Sequence, residues 1–399
     1  MPVRPRPHLD CVEPYLPGDS ARCGTARVVK LSSNESPLGP SPRAKKAFRS
    51  EAMALARYPD AGAQALRRAL ARCHGIDPNS IVFGAGSESL ITLIARTFAG
   101  PGDAIAFPRF SFAAYKIAAQ VAGARPVPLP EPEPASDDSL VRMADELTED
   151  VRILFVANPG NPTGQCFAAG AITRLRNALD PNVLLVLDGA YAEHANHSVA
   201  GYRPGHELVD ATTANTVVQR TFSKAYGLAG ARIGWAHCPP VVEGALDRVR
   251  DIFPVCRASP AAAHASLLDT AHLSRAVEHN ARWQPWLRRA LEDAGLGTTG
   301  NGVNFVLVDF GSPARARAAD QHLRREGYIP RTLVEYGLAD CLRISVGRAS
   351  DCRGVARAQA GQSRRRQVGA AIPTREGPRP SNAPRSFCQL NLRVGRGLH

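Results

Sequence analysis

Residues 183 to 191 read VLLVLDGAY, five apolar side chains followed by an aspartate, a glycine, an alanine and a tyrosine. A strand with one wet face alternates apolar and polar side chains. This one does not, so it is expected to lie buried on both faces of a largely parallel sheet. Short apolar runs recur around it: SIVFGAG (80–86), DAIAFP (103–108), RILFVANP (152–159), TVVQRTFS (216–223) and ARIGWAH (231–237). Helix-like stretches lie between them, and SPRAKKAFRSEAMALARY (41–58) and AQALRRALARCHG (63–75) have helical spacing as well. Strands alternating with helices predict an α/β layered domain over about residues 41–262.

Past that point helical spacing dominates from 261 to 295. It is followed by strand-like NFVLVDF (304–310), helix-like ARARAADQHLRREG (314–327) and strand-like CLRISVG (341–347). A smaller α+β domain is expected over 263–361. Residues 1–40, punctuated by Pro and Gly, predict an extended arm. Residues 362–399 are rich in Arg, Pro, Gly and Ser with little apolar periodicity, and a basic, disordered tail is expected there.

The composition excludes several classes of function. In a chain of 399 residues, 44% hydrophobic and 21% charged residues fit an ordinary globular protein with a large core. No run approaches the roughly 18 to 20 apolar residues of a membrane span. The opening MPVRPRPHLD lacks the apolar centre of a secretion signal, so a cytoplasmic location and no membrane contact are expected. The nine cysteines are scattered and never form a CxxC pair, which argues against a disulfide framework and against a bound metal. The net charge of +13 suggests nucleic acid, but ten Arg and one Glu lie from Arg353 onward. The rest of the chain carries only about +4. The basicity is a property of the tail, and no nucleic-acid partner is expected for the body.

In open α/β sheets ligands bind at the carboxyl ends of strands, where the distinctive residues of this chain fall. FGAGSES (83–89) ends a strand and opens a helix, so glycines there let backbone N–H groups approach an anion. Such a turn taken singly is more often only a turn. NPGNPTG (158–164) combines two Asn-Pro pairs and two glycines in a stiff irregular loop that can aim Asn161 inward. Asp188 finishes a buried strand, as a helix cap or as the counter-ion of a bound cation, with Tyr191 three residues on. In TFSKAYGLAGARIGW (221–235), a lysine among apolar neighbours loses ammonium stability through desolvation and becomes a nucleophile or base. Ser223 and Arg232 beside Lys224 can hold a phosphate. A lysine nucleophile, a strand-end carboxylate and a phosphate cup are together what pyridoxal phosphate requires.

The ordered set KLSSNESPLGPSP, RYPDAG, GAGSES, NPGNPTG, LDGAY, TFSKAYGLAGARIGW and YGLADCLRISVG resembles the histidinol-phosphate aminotransferase family of fold type I pyridoxal-phosphate enzymes, over about residues 5–361. The resemblance implies a large domain with a mostly parallel central sheet and a smaller α+β C-terminal domain, with pyridoxal 5′-phosphate as cofactor. It implies Lys224 as the Schiff-base lysine and Asp188 as the carboxylate that keeps the pyridine nitrogen protonated. Asn161 and Tyr191 would bond the ring's phenolic oxygen, and Ser87 and Glu88 would lie at the backbone cup. Ser223 and Arg232 would bind the phosphate through their side chains. Phe112 would stack on the ring, with Phe110 close enough to compete for that assignment. Tyr58 would reach the phosphate of the neighbouring subunit, which implies a homodimer with shared sites. Arg343 would grip the substrate's anionic group, helped by Arg331 and Tyr15.

The implied reaction pairs histidinol phosphate with 2-oxoglutarate. An aromatic or broad-range aminotransferase and a phosphoamino-acid decarboxylase are the alternatives on the same scaffold. Three positions depart from the family's usual form. Gly189 stands where an acidic residue is common, Glu88 where Asp is common, and Phe112 where a tyrosine is common. None removes a catalytic side chain, although Phe112 lacks a hydroxyl that could touch substrate. A nucleic-acid regulator on this fold would need a winged-helix domain ahead of residue 40, and only the tail remains as a candidate contact. Deleting residues 362–399 is expected to leave transamination unchanged, and a salt titration of DNA binding to the full chain is expected to detect none.

Overall fold

The computed structural model describes residues 3–14, 18, 28–133, 136–210 and 215–369. Among these residues the strands, in chain order, are β1 (Val29–Lys30), β2 (Ile81–Gly84), β3 (Ala104–Pro108), β4 (Arg125–Leu129), β5 (Val151–Ala157), β6 (Leu184–Asp188), β7 (Thr216–Thr221), β8 (Gly234–His237), β9 (Gly297–Thr299), β10 (Phe305–Asp309), β11 (Tyr328–Ile329), β12 (Arg331–Thr332) and β13 (Cys341–Ser345). Strands β2 to β8 form one sheet in the order β2-β8-β7-β6-β5-β3-β4. Its pairings are parallel except those of β8, which runs antiparallel to both β2 and β7. The six apolar runs of the large domain are all strands of this sheet. The seventh strand, Arg125–Leu129, carries Pro126 and Pro128 and sits at the sheet's edge, where a missing N–H costs no ladder bond.

Burial on both faces is visible residue by residue. Ile153, Phe155 and Val186 turn to one core, whereas Leu154, Val156, Leu185 and Leu187 turn to the other. Asp188 continues the first of these faces, because alternate residues of a strand share a side. The helices Ser87–Phe98 and Ala114–Ala122 contribute Leu90, Ile91, Ile94, Tyr115, Ala118 and Ala119 to the first core. The helix Ala169–Ala178 contributes Ala171, Ile172 and Leu175 to the second.

The smaller C-terminal domain is built on an antiparallel sheet in the order β12-β13-β10-β9. Its core gathers Trp283, Leu287 and Leu291 from the helix Thr270–Glu292 with Val306, Val308, Leu342 and Ile344 from the strands. The N-terminal segment joins this part of the molecule: β1 pairs parallel with β11, and Ser345 N donates to Leu31 O at 2.9 Å. The last helix, Ala349–Gly369, runs on past residue 361, so the first turns of the expected disordered tail are helical. Tyr15 and residues 370–399 lie outside the described residues.

Phe155 is fully buried and stacks on Tyr115, with ring centroids 4.7 Å apart and planes 3° from parallel. Phe155→Ala is expected to lower unfolding free energy by about 3–5 kcal/mol, read by urea titration of the large domain's transition.

Candidate active site

The carboxyl ends of β5, β6 and β7 open into a cavity of about 480 Å³. Its wall includes Ser87, Glu88, Phe112, Tyr115, Asn161, Asp188, Tyr191, Ser223, Lys224 and Arg232, together with Lys30, Ser33 and Glu35 of the N-terminal segment. Nine of the residues singled out in the sequence therefore meet here from five separate strand ends and loops.

Asp188 is only 5% exposed. Its Oδ2 accepts the Tyr115 hydroxyl at 2.8 Å and its Oδ1 accepts the Ala190 N–H at 3.1 Å. Gln219, its registered partner on β7, lies beside it. Burial pushes the carboxyl's pKa up, and the bond from Tyr115 and the nearby Gln219 amide pull against that rise. A buried carboxylate so placed favours a cation within the cavity.

Lys224 follows β7 and donates from Nζ to Ser33 O at 3.0 Å. Burial, then the nearby positive charge of Arg343, lowers its pKa from 10.5 to about 8, while Glu35 and Asp188 act to raise it. Roughly a tenth to a fifth of the amine is thus neutral near physiological pH, far more than for an ordinary lysine, as a nucleophile or base requires.

The candidate anion cup lies at the start of the helix Ser87–Phe98. Its N-cap Gly86 has φ +86°, and a Cβ there would lie 2.5 Å from Arg232 Nη2. A Cβ on Gly234 would lie 2.4 Å from Ser87 N. Both glycines are needed so that the guanidinium, the helix N-terminus and the antiparallel strand β8 can approach one another. Arg232 itself has φ +50°, a left-handed conformation uncommon for a non-glycine residue. Its Nη1 donates to Ala229 O at 3.2 Å, and Glu88 Oε2 stands 3.9 Å from Nη2. Thr221 Oγ1 accepts the Ser223 N–H at 3.1 Å and donates to Ser223 Oγ at 2.9 Å. Ser223 therefore keeps its own hydroxyl hydrogen for an anion.

The two Asn-Pro pairs divide into structural and site roles. Both Asn158–Pro159 and Asn161–Pro162 are cis. Asn158 is buried and closes the loop by bonding both backbone groups of Phe167, at 3.1 Å and 2.9 Å. Asn161 faces the cavity, and its Oδ1 accepts from Arg343 Nη1. Arg343 Nη2 donates to Ser32 O at 2.8 Å, and its guanidinium carbon lies 5.4 Å from the Phe305 ring centre. Arg343 stands behind Asn161 and is not itself part of the wall.

Arg331 is the registered neighbour of Arg343 across β12 and β13, but its guanidinium pairs with Glu335 and it does not line the cavity. Phe112 lines the cavity and meets Tyr115 edge-on at 6.1 Å, whereas Phe110 is buried against Leu307, Leu333 and Tyr336. Tyr58 is 79% exposed, stacks on Phe253 at 4.5 Å and does not line this chain's cavity. At Gly189 a side chain would meet Arg220 Cδ at 2.9 Å, so an acidic residue there would require the Arg220 side chain to shift. Tyr115, Gln219, Ser32, Ser33 and Asn34 were not legible as site residues. Tyr115 sits at an ordinary core position of a helix, Gln219 is placed by strand register, Ser32 and Ser33 act through backbone carbonyls, and Asn34 acts through a side-chain amide brought in by a distant segment.

The donors present fit pyridoxal phosphate: a buried carboxylate for a pyridinium nitrogen, a lysine of lowered pKa, an aromatic face and a cup of N–H, hydroxyl and guanidinium groups. This fold and donor set define a fold type I pyridoxal-phosphate-dependent aminotransferase. The model of the class I and II aminotransferases matches residues 26–358. The chain is 45% identical to the histidinol-phosphate aminotransferase of Paramagnetospirillum magneticum over 86% of its own length and 94% of that protein. It is 42% identical to that of Rhodospirillum rubrum over 89% and 95%. The structure of the Sinorhizobium meliloti histidinol-phosphate aminotransferase in complex with pyridoxal-5′-phosphate superposes with a TM-score of 0.77 at 30% identity, covering 86% of this chain and 92% of that one. Aspartate aminotransferase of Thermus thermophilus shares the fold, with a TM-score of 0.72 at 21% identity. The chain belongs to the histidinol-phosphate aminotransferase family.

The lowered Lys224 pKa has a defined sign. The folded protein binds fewer protons than the unfolded chain between about pH 8 and pH 10.5, so this group's burial penalty is present below pH 8 and relieved as pH rises through that window. In cofactor-free protein, acylation of Lys224 followed by peptide mass spectrometry is expected to reach half its maximal rate near pH 8. Arg343→Leu is expected to move that midpoint upward.

Proposed function

We propose that this chain interconverts L-histidinol phosphate and 2-oxoglutarate with imidazole acetol phosphate and L-glutamate, as a step of histidine biosynthesis. The observation that carries it is Arg343, a buried guanidinium directly behind the wall residue Asn161, which it bonds along with Ser32 O, and whose Nε has no hydrogen-bond partner. A planar guanidinium holds either a carboxylate or a phosphate, so one site accepts glutamate and a phosphorylated amino alcohol in turn. The extent of likeness to the two bacterial histidinol-phosphate aminotransferases supports this choice over the other activities of the scaffold.

Pyridoxal phosphate, when bound, supplies an aldehyde carbon for the incoming amine and a ring that accepts the electrons of the Cα–H bond. Lys224 would hold it, and Asp188 would face its ring nitrogen and keep that nitrogen protonated. Ser87, Glu88, Ser223 and Arg232 would form the phosphate cup, Phe112 would cover the ring, and Asn161 and Tyr191 would bond its phenolic oxygen. The Lys224 amine takes the proton from substrate Cα, which its lowered pKa allows near neutrality. Arg343 orients the substrate by its anionic group.

The protein acts as a homodimer. Met53, Leu55, Tyr58, Ile252 and Phe253 leave apolar surface exposed on two adjoining segments, and Tyr58 would reach from there to the partner's phosphate cup. Tyr15 would assist Arg343 once substrate is bound, and Arg331 would join it only on leaving Glu335. No helix among the described residues is long and apolar enough to cross a membrane, and a cytoplasmic location accords with that.

Glutamate production from histidinol phosphate is expected to exceed that from phenylalanine. Phenylalanine turning over faster by about a hundredfold would favour the aromatic alternative. Arg343→Ala is expected to reduce kcat/KM by about a hundredfold or more, in line with about 3 kcal/mol for a charge-assisted bond lost from both substrates.

A further inference from the structure

The segment 32–35 places four consecutive residues on the site. Ser32 O accepts from Arg343 at 2.8 Å, Ser33 O accepts from Lys224 at 3.0 Å, Asn34 Nδ2 donates to the Tyr191 hydroxyl oxygen at 2.8 Å, and Glu35 lines the wall. Asn34 is 1% exposed, with φ +56°, a left-handed conformation that asparagine tolerates. Its carbonyl accepts from Asn304 Nδ2 at 2.8 Å.

The two ends of the Asn34 amide are told apart by Ser345. The Ser345 hydroxyl oxygen accepts the Asn34 backbone N–H at 2.9 Å, and its own hydrogen is donated to Asn34 Oδ1, also at 2.9 Å. Oδ1 is thereby the accepting end of the amide. Nδ2, which can only donate, is the end turned to Tyr191.

We propose that Asn34 is a positioning residue for Tyr191: by donating to the phenol oxygen it makes that oxygen an acceptor, so the Tyr191 hydrogen is aimed at the cofactor's phenolic oxygen. Ser345, on the small sheet, sets the orientation of Asn34 and so acts on the cofactor from outside the cavity. A donor on a hydroxyl oxygen also strengthens the bond that hydroxyl itself donates. The inference rests on the roles of Lys224 and Tyr191 proposed above.

The test is a pH titration of the visible absorbance of the purified holoenzyme. Loss of a donor to the ring oxygen disfavours its ionised form, so Tyr191→Phe is expected to raise the midpoint by about one pH unit. Asn34→Gly preserves the left-handed backbone and is expected to raise it by roughly half as much. Because Asn34 acts through Tyr191, Asn34→Gly is expected to add nothing in a Tyr191→Phe background, whereas a general loosening of the site would add its shift again. Ser345→Ala is expected to follow Asn34→Gly in direction and likewise to be silent without the Tyr191 hydroxyl. Should Asn34→Gly fail to fold, Ser345→Ala and its double variant are read in the same way. A wild-type midpoint in the single variant, or an undiminished shift in the double, overturns the inference. A wild-type band that survives Lys224→Ala unchanged overturns the lysine assignment itself, and the inference with it.

Discussion

The buried carboxylate of Asp188 is the constraint around which the rest is arranged. Taking such a charge out of water costs several kcal/mol unless bonds and a counter-charge offset it. The structure supplies Tyr115 from the helix Ala114–Ala122, the Ala190 N–H from the turn after β6, and Gln219 by register on β7. Each element is thereby held in place on the face that also carries Phe155 and Val186. What the carboxylate still requires is a cation on the open side, and a protonated pyridine ring is such a group. The burial that raises the carboxyl's pKa is thus the same property that selects the ligand.

The cavity balances several charges of both signs in a small space. Lys224 is driven toward its neutral form by burial and by Arg343, and its remaining charge is shared with the carbonyl of Ser33. Arg343 is in turn held by Asn161 from one part of the molecule and by Ser32 from another. Segment 32–35 therefore couples the small antiparallel sheet to the large parallel one. It carries no catalytic group of its own. Its effect is to fix the groups that do, through two carbonyls and one oriented amide.

Much of the large sheet was legible because burial on both faces leaves an unbroken apolar run, as in Leu184–Leu187, and such runs are hard to mistake. The edge strand Arg125–Leu129 was not, since its two prolines suit an edge but read locally as a loop. Asn161 and Asn158 occupy equivalent Asn-Pro pairs, yet one faces the cavity and the other only closes the loop. Nothing in the pairs themselves separates them. Likewise Phe110 and Phe112 are two residues apart, and only the packing of Leu307, Leu333 and Tyr336 around Phe110 leaves Phe112 to the cavity.

The residue types, their order and the parallel architecture were determined by the sequence alone. A lysine, a strand-end aspartate and a Gly-rich turn are chemical requirements, and apolar runs are a physical one. Tertiary structure decided which donors complete the site. Tyr115, Gln219 and Asn34 owe their positions to a helix face, a strand register and a seryl hydroxyl 311 positions away from Asn34. Arg331 was decided in the same way, because its neighbour Glu335 takes its guanidinium while Arg343, directly opposite on the next strand, remains with the site. Local sequence specifies what a side chain can do, but hydrogen bonds at 2.8 Å depend on where distant segments bring it, and that is settled only by the packing of the whole chain.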